Sequence, residues 1–381
     1  MRRKSGCGRL SAADGSTDSV VMSLFKVNDS FDLPDGEKEY RVSYDEGSKG
    51  AFEKLGEALE PRGLAPWLVG SREDCVLLVR KKQPVKPSKS RIPFIMALLT
   101  FASVIVFAIV EVQVYGAYAK GVFWPTVFVE FAACVLAILA SHELGHRLAS
   151  RRTKTAPPTP YVIPGVPALT YFLCSLGIVS TQREPAANRD KLFDVILAGP
   201  LLTLAVAIVL WLAGGLTSVL TSLPSTGIQV VNGIPVQQAN PSILQYDIAS
   251  LLSPLLGPSG ANATRLSPIA DAAGFGFPLT FVSILPMAFF DGGFLFSTVF
   301  KSGSLRVATY GSIMLLILVD TPDYWALAIV VLLMVARPFD IQIRDEVSEI
   351  SPGRRALYWA VILLAILSVP VPGNLATIPL G

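Results

Sequence analysis

Along the chain the apolar positions change character near residue 91. Before that point they come in short runs that alternate with polar residues; after it they merge into long stretches. Seven such stretches stand near 92–115, 121–149, 191–213, 272–300, 304–319, 322–337 and 356–372. Each is read as a helix crossing about 30 Å of hydrocarbon, the fifth and sixth being short for the task. Residues 160–180 are apolar in a different way: Pro160, Pro164 and Pro167 stand among β-formers such as Val162, Ile163 and Val179. That mixture predicts re-entrant extended backbone, tolerated at membrane depth only where protein or trapped water satisfies it. Residues 241–257 read as an amphipathic piece on the outer side.

The polar half has its own order. Residues 1–37, rich in Ser, Gly and Asp, are expected to lack packed structure. Residues 38–82 form a small α/β module, with strands at 39–45, 66–69 and 75–81 and a helix at 48–60 ending before Gly63. A basic, proline-containing linker (83–91) leads to a membrane core (92–300) and further C-terminal transmembrane segments (301–381). The fold class expected is a polytopic α-helical membrane protein of about seven apolar segments, with a re-entrant extended stretch and a small N-terminal α/β module.

Composition supports that division. Charged residues make up 16% of the chain and its mean hydropathy is +0.52, whereas soluble domains carry about 25% charge. A net charge of +3 is too small to imply nucleic-acid binding. The basic residues gather instead at alternate ends of the apolar segments: Arg147, Arg151, Arg152 and Lys154, then Lys301 and Arg306, then Arg337, Arg344, Arg354 and Arg355. The positive-inside rule then places the N-terminal module in the cytoplasm and the C-terminus outside, in a multi-pass protein of the lipid bilayer. No signal peptide is expected from MRRKSGCGRL, which runs into a polar stretch. Cys7, Cys75, Cys134 and Cys174 are scattered without CxxC spacing, so disulfides and thiolate metal sites are not expected.

One constellation carries chemistry. The second apolar stretch ends in SHELGHRL, and its His142 and His146 are the only histidines in the chain. Four residues apart on a helix, they project from one face toward a common point. HExxH of this kind binds zinc through both imidazoles and leaves Glu143 placed to take a proton from the metal's water. Polar decoration of a helix end is the plainer alternative, but ionisable residues inside an apolar helix are costly and mark function. A catalytic zinc takes a third protein ligand, here necessarily a carboxylate. Glu111 and Glu130 fall near the wrong ends of their segments. Asp194 competes, but Asp291, following Pro286 and preceding Gly292 and Gly293, shares the depth of the histidine pair and is the better candidate.

HELGH at 142–146, DVILAGP at 194–200 and the ILP…DGG stretch at 284–293 together resemble the site-2 proteases, intramembrane zinc metalloproteases. The N-terminal module and basic linker are similar to those of some archaeal and plastid members. The resemblance implies one Zn2+ per chain, held by His142, His146 and Asp291, with Glu143 catalytic. It implies hydrolysis of a peptide bond within or near the transmembrane segment of a membrane-protein substrate, in a regulatory setting, by an active site near the cytoplasmic side. A family asparagine is replaced here by Ser283, whose hydroxyl is the candidate for positioning substrate, and the histidine that often follows DGG is Phe294. The module, lacking a glycine-rich phosphate loop, is expected to bind a regulatory protein partner. The alternatives are another membrane zincin with a glutamate ligand, and a transporter, metal-binding protein or inactive relative of the proteases.

Overall fold

The computed structural model describes residues 17–33, 37–82, 90–118, 123–165, 174–221, 228–231, 234–237, 242–252, 263–300, 302–318, 322–335 and 341–369. The N-terminal module comprises α1 (Thr17–Leu24), β1 (Val27–Asp32), β2 (Lys38–Val42), α2 (Ser48–Leu59), β3 (Leu64–Gly70) and β4 (Cys75–Lys81). Its four strands form one antiparallel sheet in the order β1-β2-β4-β3. Alternation along CVLLVRK turns Cys75, Leu77 and Val79 inward, into one cluster with Phe52, Leu55 and Leu59 of α2. Gly63, at φ 67°, caps the 3-10 turn that ends the helix. The expectation of an unstructured N-terminus fails for 17–33, because Val21 of α1 and Phe25, the residue just after it, reach this same core. Residues 1–16 and most of the linker lie outside the described residues.

The module is stitched to the rest of the molecule by an extended strap at 341–350. Leu68 of β3 donates its N–H to Arg344 (2.7 Å) and accepts from Glu346 N–H (2.9 Å). On its other side the strap accepts from Ala186 N–H through Gln342 O (3.1 Å), and Arg344 N–H donates to Ala186 O (2.8 Å). Val347 joins the module's core, and Lys49 of α2 pairs with Asp190 at 2.7 Å. The sheet therefore continues through the strap to residues 186–187.

Three described helices are long and apolar enough to cross a membrane: α3 (Ile92–Tyr118), α4 (Trp124–Thr153) and α5 (Arg189–Leu216). Asn188 caps α5, its side chain accepting from Lys191 N–H at 2.9 Å. Between α4 and α5, β5 (Thr159–Pro164) and β6 (Ser175–Thr181) pair as an antiparallel hairpin, the extended backbone expected there; residues 166–173 lie outside the described part. Ser103 of α3 hydrogen-bonds Gly165 O and Cys174 O at 2.8 and 3.1 Å, tying the open end of the hairpin to α3. After α5 come β7 (Val219–Thr221), β8 (Ile228–Val231), β9 (Ile234–Gln237), α6 (Ile243–Leu252) and β10 (Ala263–Arg265), with β8 paired to β9 and β7 to β10.

Seven spanning segments are not what the described residues contain. The fourth stretch divides into α7 (Pro268–Gly274), α8 (Gly276–Ile284) and α9 (Asp291–Val299). Pro286 forces the break: Leu285 before it adopts ψ 137°, the extended conformation a following proline demands. The remaining helices, α10 (Leu305–Leu318), α11 (Pro322–Val335) and α12 (Pro352–Leu367), have 14, 14 and 16 residues, and 14 residues make roughly 21 Å of helix. Large apolar side chains nonetheless face outward on α3 and α10, Phe94 and Val307 each at 74% exposure, so both helices present an unpartnered apolar face.

Candidate metal centre

The site forms where α4, α5 and the start of α9 meet. Close approach of α4 and α5 depends on glycine at two positions. A Cβ on Gly145 would strike Ala198 O, with Ala198 C at 2.7 Å; one on Gly199 would strike the His146 ring, with Cε1 at 2.5 Å and Cδ2 at 2.9 Å. Gly199 lies in the DVILAGP run, so that run acquires a reason: its backbone is the wall behind His146. The DGG pair works similarly. A methyl on Gly292 would strike Ile284 O and Leu285 O, and one on Gly293 would strike Met287 O. These two residues let α9 begin directly beneath the broken end of α8, which carries Asp291 inward.

Phe289 precedes this turn with φ 73°, an unfavourable conformation for a bulky residue. Two hydrogen bonds hold the loop: Ser180 N–H of β6 donates to Phe289 O at 3.0 Å, and Ala288 N–H donates to Thr309 Oγ1 at 3.0 Å. Asp291 then stands as the first residue of α9, where the helix dipole favours a carboxylate.

His142, His146 and Asp291 are fully or almost fully buried, and their ligating atoms all lie within 4.8 Å of one another. His142 Nε2 is 2.8 Å from Asp291 Oδ2, and His146 Nε2 is 3.3 Å from the same oxygen. Despite these separations neither Nε2 nor either carboxylate oxygen has a well-directed hydrogen bond. The opposite ring nitrogens are engaged. His146 Nδ1–H donates to Val195 O at 2.9 Å. Thr203 Oγ1 spends its proton on Gly199 O (3.0 Å) and so accepts from His142 Nδ1–H (3.1 Å). Both tautomers are thereby set, with the Nε2 lone pairs turned toward Asp291, the arrangement that outer partners impose on metal-binding histidines. Two neutral imidazoles and a carboxylate, buried and otherwise unsatisfied, match the donor set of a three-ligand zinc site.

The other sequence candidates fall elsewhere. Glu143 stands beside the group; its Oε1 accepts from Arg147 Nε at 2.6 Å, while its buried Oε2 has no partner. Asp194 is occupied by Arg354 in a two-pronged pair, Nε to Oδ1 at 2.7 Å and Nη2 to Oδ2 at 2.6 Å. Ser283 is buried in α8 with its hydroxyl unpartnered. Phe294 is buried and borders a small void with Leu192, Val195 and Ile196. Sequence reasoning missed Thr203 and the Val195 carbonyl, although Thr203 stands one helical turn beyond Gly199 in an otherwise apolar run.

Residues 130–319 match the family described as peptidase family M50. Among curated proteins, the chain is 27% identical over 251 residues to "Probable zinc metalloprotease EGY1, chloroplastic" of Arabidopsis thaliana, a match covering 64% of this chain and 43% of that protein. It is 28% identical over 198 residues to "Probable zinc metalloprotease EGY2, chloroplastic" of the same plant, covering 50% of this chain and 33% of the relative. The chain thus spans less than half the length of either relative. No solved structure matches it. The matched region takes in α4, α5 and α9, the three helices that bring His142, His146 and Asp291 together, and the chain belongs to peptidase family M50, the site-2 proteases, among which its relatives are of the plastid type.

Proposed function

We propose that this protein is a zinc-dependent intramembrane protease that hydrolyses a peptide bond in or near a transmembrane segment of another membrane protein. The observation carrying this is the convergence of His142, His146 and Asp291, buried, with tautomers set and ligating atoms unsatisfied. Zinc bound by these three supplies Lewis acidity for the scissile carbonyl and for the attacking water. Glu143 acts as general base and then general acid: Arg147 anchors Oε1, leaving Oε2 to receive the water's proton and deliver it to the leaving nitrogen. An open cleft of about 460 Å³ reaches Glu143 and gives water a route to it. Ser283 serves as a positioning hydroxyl: its Oγ is buried and unpartnered, so a substrate backbone would be its hydrogen-bond partner.

The membrane topology belongs to the same proposal. The arginines in the last turn of α4 favour a cytoplasmic location for that end and for the N-terminal module. The division into a module at 38–82, a linker at 83–91, a protease core at 92–300 and C-terminal segments at 301–381 is retained, with residues 17–33 added to the module and the strap tying it to the core. A regulatory partner would act on the module's exposed face. A purely metal-binding or transport role has less support, since zinc retention does not need a base at 143. The test is Glu143→Gln in the purified full chain. It should keep about one zinc per chain and lose cleavage of a transmembrane peptide that the parent cuts. Loss of zinc in this variant, or undiminished cleavage, would overturn the assignment of roles.

A further inference from the structure

The cleft at Glu143 has a lining that hydrolysis alone does not require. Arg147 and Arg151 stand four apart on the last turns of α4, and Arg183 faces them from beyond β6. Arg147 is paired with Glu143, the single acidic residue of the lining, whereas Arg151 and Arg183 are exposed and form no ion pair among the described residues. Ser150 also lines the cleft; it is 3% exposed and its Oγ has no hydrogen-bond partner. A buried hydroxyl left unpaired is costly unless a ligand meets it. The facing wall is the stretch 157–160, in which Pro157, Pro158 and Pro160 carry no N–H. The charged donors are therefore all arginines, with the hydroxyls of Ser150, Thr155 and Thr159 as the neutral polar groups of the lining, and a cleft of about 460 Å³ lies within the range of ligand sites.

We propose that this cleft is a specificity subsite for carboxylates, taking an Asp- or Glu-bearing flank of the substrate next to the segment that is cut. The inference rests on the proteolytic reading, because it makes Arg151 and Arg183 selectors of which membrane protein is presented to Glu143. Guanidinium forks match carboxylates two-pronged, and low-dielectric walls focus their field. A peptide is favoured over a lipid headgroup because the cleft begins at the Glu143 side chain, so its occupant is continuous with the reacting bond.

The test measures binding apart from catalysis. The full chain carrying Glu143→Gln is placed in nanodiscs of neutral lipid with labelled leucine-rich transmembrane peptides. The peptides differ only in one flank, Asp-Glu-Asp or Asn-Gln-Asn, and both ends are tried. The acidic flank should bind about tenfold more tightly at one end, and the preference should fade at high salt. Adding Arg151→Gln with Arg183→Gln should erase the preference without changing zinc content, and the lysine pair should restore most of it. Equal binding of the two peptides, or a preference that survives the double glutamine change, would overturn the proposal. So would purification of the parent with bound phosphatidylglycerol that the double variant lacks, if acidic and neutral peptides then bind alike, for the cleft would be a lipid site. A parent that cleaves no membrane peptide, while the Glu143→Gln chain keeps the selectivity, would refute the proteolytic reading and leave the carboxylate preference standing.

Discussion

Replacing Gly199 by alanine tests the site without touching a ligand. The new methyl would stand 2.5 Å from His146 Cε1 and 2.9 Å from Cδ2, where ordinary carbon contacts are about 3.5–4.0 Å. Ring and helix must therefore separate by about 1 Å. That movement breaks the 2.9 Å bond from His146 Nδ1 to Val195 O, while a metal–ligand distance tolerates only about 0.2 Å. Zinc affinity should fall by about 10- to 100-fold, the usual range when a ligand's orienting partner is lost. On stability two effects oppose. Alanine gains about 1 kcal/mol of helix propensity over glycine, and overpacking costs about 1–3 kcal/mol, so apoprotein melting should change little or fall. Gly311→Ala in α10 is the control, since its Cβ would meet nothing within 4 Å. Zinc per chain after equilibration against a graded chelator, with thermal melting of the same samples, provides the readout. Parent-like zinc affinity in Gly199→Ala would refute the close packing of α5 on His146.

Three further outcomes are expected. Asp291→Ala should abolish zinc retention, whereas Asp194→Ala should keep the metal; the Arg354–Asp194 pair is about one-third exposed, so its loss should cost no more than about 1 kcal/mol in melting. Finding zinc lost in Asp194→Ala alone would reverse that ranking. Deleting residues 1–82 should lower the melting temperature and open 341–350 to proteolysis, because Leu68 no longer pairs the strap and Val347 loses its core; unchanged protease resistance there would count against the stitching. Burial, with the charges of Asp345 and Asp74 adding to it, pushes the Cys75 thiol up to about 11 from its ordinary 9.0. Above pH 9 the unfolded chain ionises first, so stability should fall as pH rises toward 11. Cys75→Ala should flatten that decline in pH-dependent melting, and an equal decline in both proteins would contradict it.

The grouping of the candidate ligands was legible because its pattern is local. His142 and His146 share a helix face by spacing alone, and Asp291, preferred to Asp194 for its depth, is the carboxylate that lies with them, whereas Asp194 pairs with Arg354. The extended backbone of β5 and β6 was also legible, three prolines among β-branched residues disfavouring helix there, though not its pairing as a hairpin. Residues 272–300 misled because a continuous apolar run looks the same whether it forms one long helix or three short ones. Pro286 marked the weak point, but only the carbonyls beneath Gly292 and Gly293 show that the chain turns there to deliver Asp291. The tautomer-setting partners Thr203 and Val195 depend on how α5 packs on α4, which no local pattern encodes. Neither α1 nor the strap was anticipated: each is short, mixed in composition, and ordered by surfaces elsewhere in the chain.

The strap also sets a timetable for making the protein. Tyr44 and Ser348, which hydrogen-bond at 3.2 Å, are 304 residues apart. At about 5–20 residues per second, synthesis separates them by roughly 15–60 s. During that interval the outer edge of β3 is bare, an open template for pairing with other nascent chains. The polypeptide must thread its helices into the bilayer before the edge can close. Chaperone demand should therefore peak early and end with the translation of residues 341–350, and a ribosome stalled before that point would display an aggregation-prone soluble domain on an otherwise inserted protein.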